Sequence, residues 1–330
     1  MRRARIRPEG RQFYHVMSRT VAGTARFGAA EKERFRRYMR AYETFCGVRV
    51  LNYAFMGTHF HLLLEVPERE EVAEEEVVRR MRAIHTDRQV EERLELWALW
   101  RREGSSARVD AELAELRARM YDLSQYMKTL KQRFTQWYNV RRERRGTLWE
   151  DRFKSVLVEG AGNALLCMSA YIDLNALRAG LCADPRDYRW CGYAEAVAGV
   201  RKARAGLDRV YGVSGVAMTW SVLAQEYRMY LFGKGEGEGR ERLEFSSERV
   251  RRVIEENGRL SLPDLLRCRV RYFSDGLALG SREFVNTVFS QYRENFGPKR
   301  REGARQMRYG DWSGLYTARA LRLEPVRPPG

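Results

Sequence analysis

The sequence predicts an α+β protein in which helices pack on one face of an antiparallel sheet, followed by a mostly helical C-terminal part. Apolar residues alternate in some segments, which indicates strands, and recur every three or four residues in others, which indicates helices. The predicted order is strand, helix, strand, strand, helix, strand, helix. A length of 330 residues suggests two domains, and a hydrophobic content of 44% is sufficient for their cores.

The first part of the predicted sheet contains a hairpin. Residues 13–17 form a β-rich run after a Pro/Gly turn, and apolar spacing predicts a helix over 29–45. Residues 48–55 alternate as a strand, 56–58 read as a tight turn, and 59–66 read as the returning strand. A connection this short between two strands indicates an antiparallel pair.

The second part of the sheet follows an acidic insertion. Residues 68–120 carry eleven basic and fourteen acidic side chains and are predicted to form one or two solvated helices. A helix is predicted over 122–140, a short strand over 153–158, and a further helix over 163–179 that ends at Gly180.

A domain boundary is predicted near residue 200, which separates 1–200 from a basic C-terminal domain over 203–330. The glycine-rich run 233–239 has the composition of a flexible linker. Beyond it, the patterns predict three helices and a basic tail, which fit either a helix-turn-helix module or a generic helical bundle. These helices are predicted at 247–257, from Ser261, and at 281–296.

The overall charge makes nucleic acid the leading class of partner. The formal net charge is +17, and counterion release favours the binding of clustered cations to phosphates. No apolar run reaches the roughly 18 residues of a membrane-spanning helix, and no signal core follows the basic N-terminus. The five cysteines contain no C-x-x-C pair, so we expect a reducing cytoplasm.

An H-x-H pattern marks the hairpin strand. On a strand, His59 and His61 project to the same face and Phe60 to the opposite one. Two neighbouring imidazoles are suited to ligate one divalent ion. A polar pair on a solvated sheet face is the alternative. The sequence predicts a structural role for His15, which follows Tyr14 in the first strand.

A narrow polar strip lies on the predicted helix 163–179. At 100° per residue, Tyr171, Asn175 and Arg178 fall within about 60° of one another, between two apolar faces. Either the phenol is buried and the amide serves as a cap, or the strip faces a functional site.

Four motifs, in this order, resemble the single-tyrosine HUH transposases, most closely the REP-associated tyrosine transposase branch. The resemblance covers about residues 6–195, with 68–120 as an insertion. The motifs are YHVMSR at 14–19, HFH at 59–61, GTLWEDRFKS at 146–155 and YIDLNALRAGL at 171–181.

The resemblance implies a ferredoxin-like domain and a metal-dependent enzyme. His59, His61 and Asn175 correspond to the metal ligands, and Tyr171 corresponds to the nucleophile that forms a covalent 5′-phosphotyrosine. Two imidazoles in the ligand set make Mn²⁺ as suitable as Mg²⁺. The chain departs from the family pattern at Asp173, where a histidine is usual, and at Ala176, where a proline is usual.

The resemblance also implies contacts with DNA. Arg152, Lys154 and Arg178 are candidate phosphate contacts, and the expected partner is single-stranded DNA with palindromic or hairpin repeats. We expect a monomer or homodimer in the cytoplasm, associated with the nucleoid. Two alternatives stay open: a domesticated, non-catalytic nucleic-acid-binding protein, and a replication initiator or relaxase that shares the same chemistry.

Overall fold

One sheet organises the chain, with an apolar core on each of its faces. The computed structural model describes residues 6–21, 27–212, 218–232, 261–319 and 323–324. Four strands form the centre of the sheet in the order β2-β3-β1-β4, and each neighbouring pair is antiparallel. They are β1 (Gln12–Arg19), β2 (Arg49–Phe55), β3 (His59–Val66) and β4 (Lys154–Val158).

Two long helices cover the first face of this sheet. Helix α1 (Ala29–Cys46) connects β1 to β2, and α5 (Leu123–Arg141) precedes β4. Gly47 ends α1 with a φ of 67°, and the Asp122 carboxylate caps α5 by accepting from the N–H of Gln125. This strand order and these two helices are the ferredoxin-like arrangement, so the predicted α+β class is confirmed.

The acidic insertion folds as three helices rather than one or two. These are α2 (Glu74–Met81), α3 (Asp87–Arg102) and α4 (Ser106–Ala118). The prediction that they are simply solvated is wrong, because Trp97 is fully buried and its indole N–H donates to the Glu112 carboxylate at 2.6 Å. The charges lie on the outer sides of these helices, whose inner apolar residues join the core on the first face of the sheet.

Helices also cover the second face of the sheet, although the sequence predicts helices on one face. They are α6 (Ala164–Asp173), α7 (Asn175–Arg178), α8 (Gly192–Val197), α9 (Arg201–Tyr211) and α10 (Trp220–Phe232). The physical reason is that nearly every residue of β2 and β3 is buried, and a sheet buried on both faces needs cover on both. The single helix predicted over 163–179 is divided at Leu174.

The C-terminal residues extend the same sheet. Strand β6 (Ala278–Gly280) pairs in parallel with β4, followed by β8 (Tyr316–Thr317) and β7 (Arg305–Gln306). The order is β2-β3-β1-β4-β6-β8-β7. Segments of two or three residues are too short to predict from a periodic pattern. The described C-terminal elements are α11 (Leu262–Arg267), β5 (Arg269–Val270), α12 (Arg271–Asp275), β6 (Ala278–Gly280), α13 (Arg282–Gln291), β7 (Arg305–Gln306), β8 (Tyr316–Thr317) and β9 (Leu323–Glu324).

Two of the three predicted C-terminal helices are present. Ser261 and Ser281 cap α11 and α13 through their side-chain hydroxyls, as such residues do at helix starts. The linker 233–239 and the helix 247–257 lie outside the described residues, so the helix-turn-helix module and the boundary near residue 200 stay predictions. None of the described helices combines the length and the low polarity that crossing a bilayer requires.

Candidate functional site

Several of the predicted site residues lie together on the second face of the sheet, beneath α6. In the register of the sheet, His59 lies opposite Arg19, and Met17 lies opposite both His61 and Lys154. Directly opposite residues of antiparallel strands point to the same face, so His59, His61 and Lys154 share one side. Phe60 points to the other side, where its ring centroid is 4.7 Å from that of Phe35.

His61 is joined to a second imidazole that sequence reasoning did not place in the site. Nδ1 of His61 is 2.8 Å from Nε2 of His15, and the two rings stack with centroids 5.1 Å apart. Nδ1 of His15 is in turn 2.6 Å from the carbonyl oxygen of Phe273. Burial lowers the pKa of His15 to about 4 and holds the pKa of His61 well below its usual value, so both rings are neutral at pH 7.

Tyr171 lies on α6 with its ring edge-on to both imidazoles. Its ring centroid is 6.2 Å from that of His61 and 6.3 Å from that of His15. Phe273 packs against the other side of the phenol ring, and Tyr171 is only 4% exposed. Within the described ranges, no protein group forms a hydrogen bond with the phenol oxygen. The hydroxyl therefore lies beside the imidazoles without being tied to another side chain.

The guanidinium group of Arg178 packs on the face of the Tyr171 ring. Its guanidinium carbon is 4.1 Å from the centre of the phenol ring. The guanidinium donates to the carbonyl oxygens of Tyr171 and Leu266, at 2.7 and 2.5 Å. The structure thus brings Arg178 to the tyrosine, as the helical strip predicts. Its role as a phosphate contact stays a prediction, because backbone carbonyls occupy two of its donors.

Asn175 begins α7, one turn after Tyr171. Its side-chain nitrogen donates to the carbonyl oxygens of Tyr171 and Ile172, at 3.2 and 3.1 Å. This fixes the orientation of the amide, since a carbonyl oxygen can only accept. The Oδ1 atom of Asn175 is therefore the side-chain atom left for a ligand.

Two cations, Lys154 and Arg19, lie on the side of the sheet that carries His59 and His61, and Arg152 lies in the adjoining loop. Lys154 is half-exposed, and its Nζ is 2.8 Å from the Asp275 carboxylate. Arg152 is exposed in the loop before β4, and Arg19 is exposed opposite His59. Arg19 was not predicted, because its position beside His59 depends on the pairing of β1 with β3. Burial is the main cause of the lowered pKa of His61, and the charge of Arg19 adds a smaller contribution in the same direction.

A buried polar network anchors α6 to the sheet. The Asp173 carboxylate accepts hydrogen bonds from the side chains of Asn52 and Tyr227, both at 2.6 Å, and from the N–H of Tyr193 at 3.2 Å. Asn52 also donates to the hydroxyl of Ser169 at 2.7 Å. The Asp173 carboxylate therefore connects the helix of Tyr171 with β2 and α10.

The chemistry of the side chains at the site determines which divalent ion they suit. Within the described ranges, no three side chains of His, Cys, Asp or Glu lie together as a metal-binding group. The third ligand that the sequence predicts is Asn175, and the amide contacts described above leave its oxygen unbonded. Imidazole nitrogens with an amide oxygen are a suitable set for Mn²⁺ and an acceptable one for Mg²⁺. The residues present fit such an ion.

Comparison with known proteins does not assign a family. No protein-family model matches the chain, and no curated protein matches it. A solved structure of a REP-associated tyrosine transposase bound to a REP hairpin matches over 60% of this chain and 85% of its own chain, with 12% identity and a TM-score of 0.36. A likeness at this TM-score is too weak to carry a functional assignment.

Proposed function

We propose that the chain is a metal-dependent transposase that nicks and rejoins single-stranded, hairpin-forming DNA through a covalent 5′-phosphotyrosine on Tyr171. The observation that carries the proposal is the position of the Tyr171 phenol, edge-on to His61 and free of hydrogen bonds to described protein groups. A tyrosine that served only as a core residue would be expected to have a partner for its hydroxyl when buried.

The proposed reaction is an in-line exchange at phosphorus. The Tyr171 oxygen bonds to the scissile phosphorus, and the bond from phosphorus to the 3′ oxygen breaks. The phenol gives up its proton and the departing 3′ oxygen gains one, so the step is balanced without ATP. Attack by another 3′-OH on the phosphotyrosine reverses it and joins a new strand.

His59, His61 and Asn175 would hold a Mg²⁺ or Mn²⁺ ion, which when bound polarises the scissile phosphate and offsets its charge. Neutral imidazoles are the form that can ligate, and burial keeps the pKa of His61 well below its usual value. Arg178 keeps the phenol ring in place from above.

Binding of DNA is proposed to involve the cations at the edge of the site. Lys154 and Arg152 would contact phosphates, and Lys154 would exchange its present ion pair with Asp275 for a phosphate. Such a solvent-accessible ion pair contributes about 0–1 kcal/mol to stability, so replacing Asp275 with a phosphate as the partner of Lys154 costs little free energy. Tyr171 is 4% exposed and Phe273 packs against its ring, so we expect a shift of Phe273 to widen the access of a phosphate to the phenol.

The test is the trapping of the covalent intermediate. Wild-type protein is incubated with an end-labelled hairpin oligonucleotide and Mn²⁺, and denaturing electrophoresis should reveal a slowly migrating protein–DNA species. Peptide mapping should place the DNA on Tyr171. Tyr171→Phe removes one oxygen that no described group bonds, so its stability and DNA affinity should match wild type while the adduct disappears.

Other outcomes separate the alternatives. DNA binding with no adduct on any hairpin substrate would favour the non-catalytic binding protein. An adduct that maps to Tyr126 or Tyr138 would show that the nucleophile is misassigned, and cleavage of double-stranded DNA without an adduct would refute the single-tyrosine reaction.

A further inference from the structure

A chain of two hydrogen bonds leads from the backbone to His61. The carbonyl oxygen of Phe273 is 2.6 Å from Nδ1 of His15, and Nε2 of His15 is 2.8 Å from Nδ1 of His61. A carbonyl oxygen can only accept, so Nδ1 of His15 must carry the hydrogen of the first bond. The direction of the whole chain follows from this one assignment.

The second bond is determined by the charge of His15. Its ring is 1% exposed, and its two nitrogens face the carbonyl oxygen of Phe273 and the imidazole of His61, neither of which is acidic. A buried ring without an acidic partner is neutral and carries one N–H, so Nε2 of His15 holds a lone pair. Nδ1 of His61 must then donate to it, which leaves the lone pair of His61 on Nε2.

We propose that His15 is a positioning residue that holds His61 in the Nδ1–H tautomer, so that Nε2 of His61 is available to ligate a divalent cation. This inference rests on the proposed function for its cation. Within the described ranges, no protein group forms a hydrogen bond with Nε2 of His61. A metal-bound imidazole usually donates its other N–H to a carboxylate, a carbonyl or water. Here the imidazole of His15 accepts the hydrogen from His61, and the backbone carbonyl of Phe273 fixes the hydrogen position on His15.

The arrangement couples the site to a distant segment. Phe273 belongs to α12 (Arg271–Asp275), and its carbonyl determines the hydrogen position on His15. A neutral imidazole can adopt either tautomer, so without a fixed neighbour His61 would divide between two forms. In one of these forms Nε2 carries a hydrogen and cannot bind a metal ion.

Nuclear magnetic resonance of the metal-free wild type tests the tautomers directly. The chain contains four histidines, and ¹⁵N-histidine labelling with two-bond ¹H–¹⁵N correlation distinguishes the two tautomers of each. The His15→Phe variant identifies which signals belong to His15 by their loss. Both His15 and His61 should show the Nδ1–H form. A His61 signal in the Nε2–H form, or in equal exchange between both forms, would overturn the proposal.

Mn²⁺ titration of two matched variants tests the consequence. His15→Phe keeps the ring volume but cannot accept from His61, whereas the side-chain oxygen of His15→Gln can take the place of Nε2. Removing such a support typically weakens metal affinity about 10–100-fold. We expect that loss for His15→Phe and a loss of less than about threefold for His15→Gln, with circular dichroism as the check of folding.

The outcomes distinguish this proposal from the proposed function. Equal Mn²⁺ affinity of His15→Phe and wild type, or equal losses in both variants, would overturn the positioning role. If wild type binds no Mn²⁺, the metal site of the proposed function is refuted, together with the part of this proposal that names a cation. The NMR spectrum of the wild type still decides the tautomers in that case.

Discussion

The substitution Asn52→Leu should destabilise the protein by removing one donor from the buried Asp173 carboxylate. Asn52 lies in β2 and donates to Asp173 at 2.6 Å and to the Ser169 hydroxyl at 2.7 Å. Leucine has nearly the same volume and forms no hydrogen bond. The perturbation is therefore a loss of polar contacts rather than the creation of a large cavity.

The magnitude follows from what Asp173 retains. The carboxylate keeps the hydroxyl of Tyr227 at 2.6 Å and the N–H of Tyr193 at 3.2 Å. Losing one hydrogen bond to a charged group costs about 1.5–3 kcal/mol. The Ser169 hydroxyl keeps its hydrogen bond with the Tyr227 hydroxyl at 2.9 Å, so its lost contact adds little. We expect the free energy of unfolding to fall by about 2 kcal/mol near pH 8.

The loss should depend on pH in a defined direction. Burial raises the pKa of Asp173 to about 6, against which the hydrogen bonds from Tyr227 and Asn52 act to lower it. A folded-state pKa above the unfolded value means that the folded protein binds more protons in the interval between them, so stability falls as pH rises through it. Asn52→Leu raises this pKa further and extends the fall to higher pH. The difference from wild type should therefore be larger at pH 8 than at pH 5.

Urea denaturation at both pH values, with a chelator present, measures the effect. Tyr227→Phe is the matched control, because it removes another donor to the same carboxylate without changing β2. The double variant should show a coupling energy above about 0.5 kcal/mol. A loss below 1 kcal/mol at pH 8, or a larger loss at pH 5 than at pH 8, would refute the assignment of Asp173 as the buried anchor of α6.

Three further predictions concern the site and its edge. His61→Ala should abolish cleavage of hairpin DNA while its DNA affinity in gel-shift assays stays within about threefold of wild type, because phosphate affinity comes mainly from Arg and Lys. Full cleavage by this variant in the presence of a chelator would contradict the metal site. Lys154→Gln should reduce the slope of log affinity against log salt by about 0.7–0.9, as expected for one lost contact with a phosphate, and an unchanged slope would exclude that contact. Lys131 donates to the carbonyl oxygen of Asp151, and burial lowers its pKa to about 8, so the folded protein binds fewer protons than the unfolded chain between about pH 8 and 10.5. The free energy of unfolding should therefore rise with pH across that window. Thermal denaturation should show a smaller rise for Lys131→Met, and an equal rise in that variant would contradict the lowered pKa of Lys131.

Local patterns in the sequence predicted the parts of the fold and site that depend on neighbouring residues. Alternation separated His59 and His61 from Phe60 without knowledge of the partner strands. Helical spacing brought Tyr171 and Arg178 onto one strip, and the guanidinium indeed lies on the phenol ring. Both are cases in which the period of one element fixes which side chains share a side.

The contacts that sequence reasoning missed depend on pairing between distant segments. His15 reaches His61 because β1 lies beside β3, and no local pattern states which strands pair. Asp173 is buried because Asn52 and Tyr227 approach it from two other elements. The break at Leu174 also lacks a signal, since no glycine or proline stands there.

The hydrogen bond between His15 and Phe273 joins residues that are 258 positions apart. Ribosomes add roughly 5–20 residues per second. The strand that carries His59 and His61 is synthesised about 210 residues before Phe273. The helix of Tyr171 is synthesised about 100 residues before it, which corresponds to roughly 5–20 s at that rate. During this interval the nascent chain presents the phenol without its aromatic cover, and His15 has no carbonyl to fix its hydrogen. Synthesis of the segment that contains Phe273 is thus the step that covers the phenol and supplies the carbonyl to His15.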